Sequence, residues 1–266
     1  MSDINNDDIK DTLYKISKEI ILPKYKNLKD EDIKLKNNKD LVTSVDVEVE
    51  EKLNNVLSSF LPNSLFVGEE LYFKDPSILD FYNINKFCWT VDPIDGTTNF
   101  VKGKDKFAIM IALTFKEKIL QSWIYKPLTG DFYYSMLGEG AFINDKKMNN
   151  VSKANLPKTI GSISSKNWPD KYMKNIKNIR SIFKDVNSYG CIGLEYADIA
   201  VGCRDFAILS RLFPWDHIPG ILLIRESGGS VIHFDKSQYN HTVDKHNLIV
   251  TNYNELKKEI MNLITE

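Results

Sequence analysis

The sequence has few of the residues that mark a disulfide-stabilised or zinc-binding protein. Its 266 residues include four histidines and three cysteines, Cys88, Cys191 and Cys203. An odd cysteine count without paired spacing argues against a disulfide framework, and no Cys/His cluster has the spacing of a zinc site. Cys88 lies in an apolar segment, so we expect it in the core.

Long hydrophobic runs and an excess of one charge are also missing. No apolar run approaches the roughly 20 residues that a membrane-spanning helix needs, and residues 1–6 contain no apolar signal core. The formal net charge is −1, so no overall field favours nucleic acid or an acidic membrane. Lysines cluster between Lys146 and Lys184 but alternate with other residues, which indicates a solvated surface. We therefore expect a cytoplasmic protein that binds neither nucleic acid nor membrane.

Composition and length suit a globular enzyme. Hydrophobic residues make up 42% of the chain and charged residues 27%, as in ordinary globular proteins. A chain of this length can bury a large core, either as one domain or as two closely packed subdomains. No internal repeat or low-complexity linker divides it.

The most informative passage is Asp92–Asn99, with the sequence DPIDGTTN. It follows the apolar run Phe87–Val91, which predicts a buried strand. Pro93 fixes its own φ and Gly96 permits a sharp turn, so the two aspartates can converge. Carboxylates and a backbone carbonyl are oxygen ligands that Mg²⁺ prefers, and backbone amides at a helix start can bind phosphate. The passage indicates metal-dependent phosphoryl transfer, although Asp-Pro-x-Asp-Gly by itself can be a simple turn.

Two further passages favour the metal-site interpretation. Val67–Glu70 follows the apolar pair Leu65-Phe66 and provides acidic side chains at another strand end. Pro214–Asp216 precedes the apolar run Ile221–Ile224, which a glycine pair terminates. Asp216 is therefore expected near a helix N-terminus, where a negative charge is stabilised.

These three passages, in this order, resemble the inositol monophosphatase superfamily of Mg²⁺-dependent, often Li⁺-sensitive phosphatases. Asp40–Asp46 is similar to that family's early loop and helix start, and Glu226–Gly229 to its turn after a later helix. The resemblance extends from about Asp7 to the C-terminal helix. It implies a layered αβαβα sugar-phosphatase fold that combines α+β and α/β parts, and a homodimer.

The resemblance also implies a metal centre with two or three Mg²⁺ ions. Glu69, Asp92 and the carbonyl of Ile94 would hold the first ion. Asp92, Asp95 and Asp216 would hold the second, so that Asp92 bridges the two. Such a pair of ions can activate water and stabilise a leaving oxygen, which makes a Ser or Cys nucleophile unnecessary.

Three side chains and two backbone amides are implied in catalysis. Thr97 and Glu69 would orient the attacking water, and Asp46 would support this water-activating group. Glu70 would lie nearby. The amides of Gly96 and Thr97 would bind the phosphate.

Substrate identity is less constrained. The segments that match the substrate end of relatives contain Ser164, Ser165, Cys191, Ile192 and Gly193. Leu209 falls where inositol-specific members carry a Glu, when the chains are aligned on Trp215-Asp216. Arg211 lies close by, and either pairs with a second anionic group of a substrate or forms a structural or subunit-interface ion pair. His217 adjoins Asp216 on the predicted helix, where neighbours do not face the same way, so we interpret it as a helix-start or surface residue.

The sequence therefore predicts an inositol-1-phosphatase-like phosphomonoesterase that acts on a small polyol or sugar phosphate. Histidinol phosphate, fructose 1,6-bisphosphate and a 3′-phosphonucleotide remain alternative substrates. A non-catalytic regulatory protein on the same fold is the alternative of another class. That alternative is disfavoured because the acidic set is intact.

Periodicity predicts two subdomains, 1–145 with the central metal motifs and 146–266 with the last metal ligand and substrate-end residues. The first has an amphipathic helix around residues 9–20, a polar loop Asp30–Asp40, a second helix over residues 45–60 and a run of antiparallel strands. The second alternates strands with helices, including one over residues 170–184. A last helix opens near Asn252, with Glu255 as a capping-box partner.

Overall fold

Continuous apolar runs in two neighbouring strands build a sheet that is buried on both faces. Strand β4 (Phe87–Asp95) pairs antiparallel with β5 (Ala108–Phe115). On β5, one face carries Ile109, Ile111 and Leu113, and the other carries Ala108, Met110 and Ala112. Successive side chains of a strand point to opposite faces, so each set packs into a different hydrophobic cluster.

The computed structural model describes residues 4–36, 40–148, 155–243 and 245–265. Within these ranges, the larger sheet has seven strands in sequential order. They are β3 (Leu65–Gly68), β4, β5, β6 (Lys118–Lys126), β7 (Asp131–Met136), β8 (Gly140–Ile143) and β9 (Lys146–Lys147). Among the described strands of this sheet, only the pair β3–β4 is parallel, so these two strands deliver their carboxyl ends to the same edge.

One face of this sheet is covered by helices from the start of the chain. They are α1 (Asn6–Ile16), a π-helical turn (Ser17–Ile21), α2 (Leu22–Lys24) and α3 (Ser44–Phe60). Apolar residues at helical spacing, such as Ile9, Leu13 and Ile16 on α1, pack against Trp89 and Trp123 of the sheet.

The opposite face is covered by α7 (Ile192–Ala200) and α8 (Pro214–Glu226). These two helices lie between the larger sheet and a second sheet, to which the same hydrophobic cluster extends. Among the described residues the second sheet has five strands, in the order β11-β10-β12-β14-β13. They are β10 (Ile160–Ile163), β11 (Asp185–Val186), β12 (Phe206–Leu209), β13 (Ser230–His233) and β14 (Leu248–Thr251).

Helices α6 (Asp170–Ile179) and α9 (Asn254–Thr265) cover the outer face of the second sheet. The layers therefore run helix, sheet, helix, sheet, helix, which confirms the predicted αβαβα fold. The first sheet ends at Lys147 and the second begins at Ile160; the division into subdomains at residue 145 stays a prediction. No helix in the described ranges is long and apolar enough to cross a membrane.

Short elements complete the chain near the edge where β3 and β4 end. They are the hairpin β1 (Ile33–Lys36) and β2 (Asp40–Thr43), the helices α4 (Glu69–Lys74) and α5 (Thr97–Val101), and 3-10 segments at Asp30–Asp32, Pro76–Asn83 and Leu156–Lys158.

Three sequence expectations about elements were wrong in part. The segment Asp30–Asp40 is not a plain loop, because β1 pairs antiparallel with β2; residues 37–39 lie outside the described ranges. The helix expected over residues 170–184 ends at Ile179, and strand β11 follows it. The last helix begins at Asn254, and the Asn252 side chain donates a hydrogen bond to Asp205.

A close helix–helix contact offers a test of this packing. A Cβ atom added to Gly220 on α8 would lie 2.2 Å from the ring of Tyr196 on α7, which is fully buried. Gly220→Ala should therefore lower the free energy of unfolding by about 1–3 kcal/mol, measured by urea denaturation. The exposed control Glu51→Ala should change it by less than about 0.5 kcal/mol. Equal stability of both variants would contradict the packing.

Candidate metal centre and active site

The central motif forms a bulge at the end of β4. The register between β4 and β5 shifts between Asp92 and Asp95, which turns both carboxylates toward the sheet edge. Gly96 follows with φ 90°, and a Cβ there would lie 2.7 Å from the carbonyl oxygen of Lys106. Glycine is thus required for both conformation and space, and α5 begins directly afterwards at Thr97.

Glu69 reaches the same edge from the neighbouring strand. The parallel register pairs Gly68 with Val91, so Glu69 follows β3 at the level where Asp92 continues β4. The side chain of Glu50 on α3 holds the start of α4 in place. The Glu50 carboxylate accepts hydrogen bonds from the amides of Glu70 and Leu71, both at 2.7 Å. Sequence reasoning missed Glu50, since a lone acidic residue on a helix carries no distinct signal.

Asp216 approaches from the first turn of α8. Its neighbour Trp215 is fully buried, stacks on Phe213 at 4.8 Å between ring centroids, and contacts Tyr72 of α4 at 4.9 Å. Trp215 is therefore a packing residue that ties the start of α8 to α4, and this contact holds Asp216 near Glu69.

The electrostatics at this edge show crowded like charges. Asp92 is 2% exposed, and its Oδ1 atom is buried without a hydrogen-bond partner. Burial raises the pKa of Asp92 well above its usual range, and the charges of Glu69, Asp95 and Asp216 raise it further. Burial and the charges of Glu69 and Asp95 likewise raise the pKa of Asp216.

An orphaned carboxylate oxygen surrounded by acidic groups fits a divalent cation, which would supply the missing partner and neutralise the repulsion. Across the described ranges, no three His, Cys, Asp or Glu side chains yet surround a common point with metal-ligand geometry. The donor set therefore fits Mg²⁺ by its chemistry, and binding would require the carboxylates to adjust their rotamers around the ion.

Asp95 has a second role that the sequence did not reveal. Its Oδ2 accepts hydrogen bonds from the Gly193 amide at 2.5 Å and the Cys191 thiol at 3.1 Å, and its Oδ1 accepts from the Ile192 amide at 3.2 Å. Asp95 thus caps the N-terminus of α7. The amides of Ile192 and Gly193, expected at the substrate end, are turned toward this carboxylate.

Thr97 and Asp46 form the pair that the sequence resemblance implied. The Thr97 hydroxyl lies 3.0 Å from both Asp46 Oδ1 and the Ile94 carbonyl oxygen. Asp46 is fully buried, and its Oδ2 accepts from the Thr43 amide at 2.8 Å and the Thr43 hydroxyl at 2.5 Å. Burial raises the pKa of Asp46 to about 6. The hydroxyl is therefore held in one orientation beside the central motif.

Lys36 is an unpredicted member of the acidic cluster. Its ammonium lies 3.0 Å from Glu69 Oε1, forms an ion pair with Glu70 and covers the ring of Phe73 at 4.6 Å. Burial alone would lower the pKa of Lys36, but the carboxylates of Glu69 and Glu70 outweigh it, so the pKa is raised. No sequence signal distinguished this lysine within a polar segment.

The acidic edge opens into a cavity of about 680 Å³. Of the residues expected in catalysis and metal binding, it is lined by Glu69, Asp95, Gly96, Thr97 and Asp216. Of those expected at the substrate end, it is lined by Ser164, Ser165, Cys191, Ile192, Leu209 and Arg211. Gly193 lies behind the wall, against Asp95, and Asp92 lies beneath the acidic edge. One cavity thus joins the two predicted groups.

His217 is buried, so its interpretation as a surface histidine was wrong, although it does lie in the first turn of α8. Its Nδ1 is 2.9 Å from the Tyr196 hydroxyl, and its Nε2 is 3.3 Å from the Arg211 carbonyl oxygen. Burial lowers the pKa of His217 to about 3. A neutral imidazole held at both nitrogens positions the segment that carries Arg211.

The buried acids predict a pH-dependent stability of the metal-free protein. Burial raises the pKa of Glu50 to about 7 from an ordinary value of 4.5, so the folded state retains a proton that the unfolded state loses. The resulting stability is present below about pH 4.5 and is lost as the pH rises through 7. The free energy of unfolding should fall by about 2–3 kcal/mol between pH 5 and 8 for this group. Glu50→Gln should make the profile less steep, because the other buried acids still titrate, whereas the exposed Glu51→Gln should leave it unchanged. Identical profiles for wild type and Glu50→Gln would contradict this account.

Comparison with known proteins identifies the family of the chain. Residues 6–266 match the model of the inositol monophosphatase family. An inositol monophosphatase of Dictyostelium discoideum is 33% identical over 244 residues, which cover 87% of each chain. A fructose-1,6-bisphosphatase/inositol-1-monophosphatase of Thermotoga maritima is 29% identical over 76% of this chain and 75% of its own. A solved IMPase/NADP phosphatase, complexed with Mg²⁺ and phosphate, has a TM-score of 0.81 and 22% identity over 97% of this chain and 93% of its own. The chain belongs to the inositol monophosphatase family and is a phosphoric monoester hydrolase.

Proposed function

We propose that this phosphatase is an Mg²⁺-dependent phosphomonoesterase that hydrolyses a small polyol or sugar phosphate. The observation that carries the proposal is the orphaned Oδ1 atom of buried Asp92, whose carboxylate lies among those of Glu69, Asp95 and Asp216, the three of them that line the cavity. A divalent cation satisfies both the unpartnered atom and the repulsion. The Mg²⁺ bound by the IMPase/NADP phosphatase of the same fold supports this choice of metal.

In this proposal, Glu69, Asp92 and the Ile94 carbonyl would hold one ion, and Asp92, Asp95 and Asp216 would hold another. The ions would lower the pKa of an attacking water and stabilise the leaving oxygen. Asp95 retains acceptor capacity for this role, because a carboxylate has about four lone-pair positions and three are used at α7.

The chain's own groups orient the reactants. Asp46 holds the Thr97 hydroxyl, and that hydroxyl together with Glu69 positions the attacking water. The amides of Gly96 and Thr97 receive the phosphate. His217 is neutral and has both nitrogens engaged, so we assign it no proton transfer. Lys36 offsets part of the negative charge around Glu69.

The cavity also supports a bisphosphate as substrate. Arg211 and Lys166 are exposed at its lining and provide positive charge beyond the acidic edge. The Thermotoga maritima relative is named for activity on both fructose 1,6-bisphosphate and inositol 1-phosphate. Histidinol phosphate and 3′-phosphonucleotides remain alternatives, and a non-catalytic role is disfavoured by the complete acidic set.

The family resemblance further suggests Li⁺ sensitivity, a homodimer and a cytoplasmic location, and these stay predictions. The most informative experiment on substrate choice is a panel of phosphate esters assayed with Mg²⁺. The panel should include inositol 1-phosphate, fructose 1,6-bisphosphate, histidinol phosphate and a 3′-phosphonucleotide. Failure to hydrolyse any of these esters would contradict the proposed substrate class.

Substitution of Asp92, the carboxylate assigned to both ions, tests the proposed metal centre. Asp92→Asn should lower kcat by more than the roughly 100-fold that loss of a group supporting a metal ligand costs. It should also abolish the rise in Tm that Mg²⁺ causes. The metal-free variant should fold and be at least as stable as wild type, because the substitution removes the repulsion between Asp92 and its acidic neighbours. Asp216→Asn should be milder and partly recover at high Mg²⁺. Near-normal activity of Asp92→Asn at low Mg²⁺ would refute the assignment.

A further prediction concerns the side chain of Arg211. Arg211→Ala should lower kcat/KM for fructose 1,6-bisphosphate by about tenfold, since hydrogen bonds to charged groups contribute about 1.5–3 kcal/mol. Inositol 1-phosphate should be little affected. Lys171→Ala is the matched control, because Lys171 is exposed and does not line the cavity, and it should change kcat/KM for neither substrate. If Arg211→Ala weakens both substrates equally, the side chain has a structural role instead.

A further inference from the structure

Glu195 is a buried carboxylate in the cavity wall that the predicted metal centre does not use. It lies in the first turn of α7 and is 2% exposed, yet it lines the cavity. Its Oε1 accepts hydrogen bonds from the Ser188 hydroxyl at 2.8 Å and the Tyr189 amide at 2.7 Å. Its Oε2 accepts from the Ser162 hydroxyl. Both serines also line the cavity.

All three of these donors are neutral. Among the described residues, no lysine, arginine or histidine forms an ion pair with Glu195. A carboxylate has about four accepting positions, so one position remains on Oε2. A buried charge with spare acceptor capacity is stabilised by a further donor, and the adjoining cavity is where a ligand can bring one.

The remainder of the cavity wall explains why this acceptor matters. Leu209, at the position where the sequence resemblance places an acidic polyol-binding residue, is 6% exposed and apolar. It cannot accept a hydrogen bond from a hydroxyl. Of the acidic side chains that line the cavity in the described ranges, Asp40 is exposed and the others besides Glu195 belong to the predicted metal set.

We infer that Glu195 accepts a hydrogen bond from a hydroxyl of the esterified polyol and so determines specificity for hydroxylated leaving groups. This inference rests on the proposed function and names its substrate class. Ser162 and Ser188 hold the carboxylate in place, while its free position on Oε2 faces the ligand. The structure thus supplies on α7 the acceptor that is missing at Leu209.

A purely structural role for Glu195 is the competing explanation, because it also anchors the turn at Tyr189. Asp198, one turn later on α7, anchors the same residue through the Tyr189 hydroxyl at 2.7 Å, but it does not line the cavity. The two carboxylates therefore share a structural contact and differ in access to a ligand. Asp198→Asn is a matched control for Glu195→Gln.

Glu195→Gln should fold normally. Its amide oxygen can keep the contacts to Ser188 and Tyr189, and the Ser162 hydroxyl can rotate to accept from the amide nitrogen. The test compares kcat/KM with Mg²⁺ for inositol 1-phosphate and for phenyl phosphate, whose leaving group has no further hydroxyl. We expect about a tenfold loss for inositol 1-phosphate, the effect of one hydrogen bond to a charged acceptor, and less than a twofold change for phenyl phosphate. Asp198→Asn should change kcat/KM for neither ester.

Equal losses on both esters, or no loss on inositol 1-phosphate, would overturn the assignment of Glu195. A wild-type enzyme that hydrolyses both esters keeps the proposed function intact in either case. A wild type that hydrolyses neither would overturn the proposed function and this inference with it. Removing single hydroxyls from inositol 1-phosphate should yield one deoxy analogue on which Glu195→Gln has no effect.

Discussion

Mutual repulsion among buried and half-buried carboxylates is the constraint on which the rest of the structure depends. Glu69, Asp92, Asp95 and Asp216 come from two strand ends and a helix start, and each has a raised pKa because burial and neighbouring negative charge disfavour ionisation. Such an arrangement is unfavourable in a metal-free protein and becomes favourable when cations bind. The fold therefore keeps these carboxylates close together at one edge, where bound cations would offset their repulsion.

Packing elsewhere in the molecule holds these charges together against their repulsion. Glu50 fixes the start of α4, Trp215 ties α8 to α4, and Asp95 caps α7. Each contact uses apolar burial or a backbone amide near the acidic edge. The hydrophobic cluster shared by α7, α8 and both sheets stabilises the fold, so the acidic side chains stay close together despite their repulsion.

The family resemblance implied the layers, whereas the central strands and the acidic motif could be predicted from local patterns. The continuous apolar run of β5 and the order Asp-Pro-Ile-Asp-Gly are visible in the chain itself. Lys36, Glu50 and Glu195 escaped prediction because their roles arise from partners distant in sequence, such as Glu69 for Lys36. His217 was assigned to the surface or a helix start, since the tyrosine that buries it lies on another helix.

Calorimetric titration of the metal-free protein with Mg²⁺ tests the central claim most directly. Carboxyl groups with raised pKa values must release protons when a cation binds them, so the apparent binding heat should depend on the ionisation enthalpy of the buffer. We expect at least two Mg²⁺ ions to bind per chain, with net release of protons at pH 6. Asp92→Asn should reduce both the number of bound ions and the number of released protons. Binding without proton release, or no saturable binding, would contradict it.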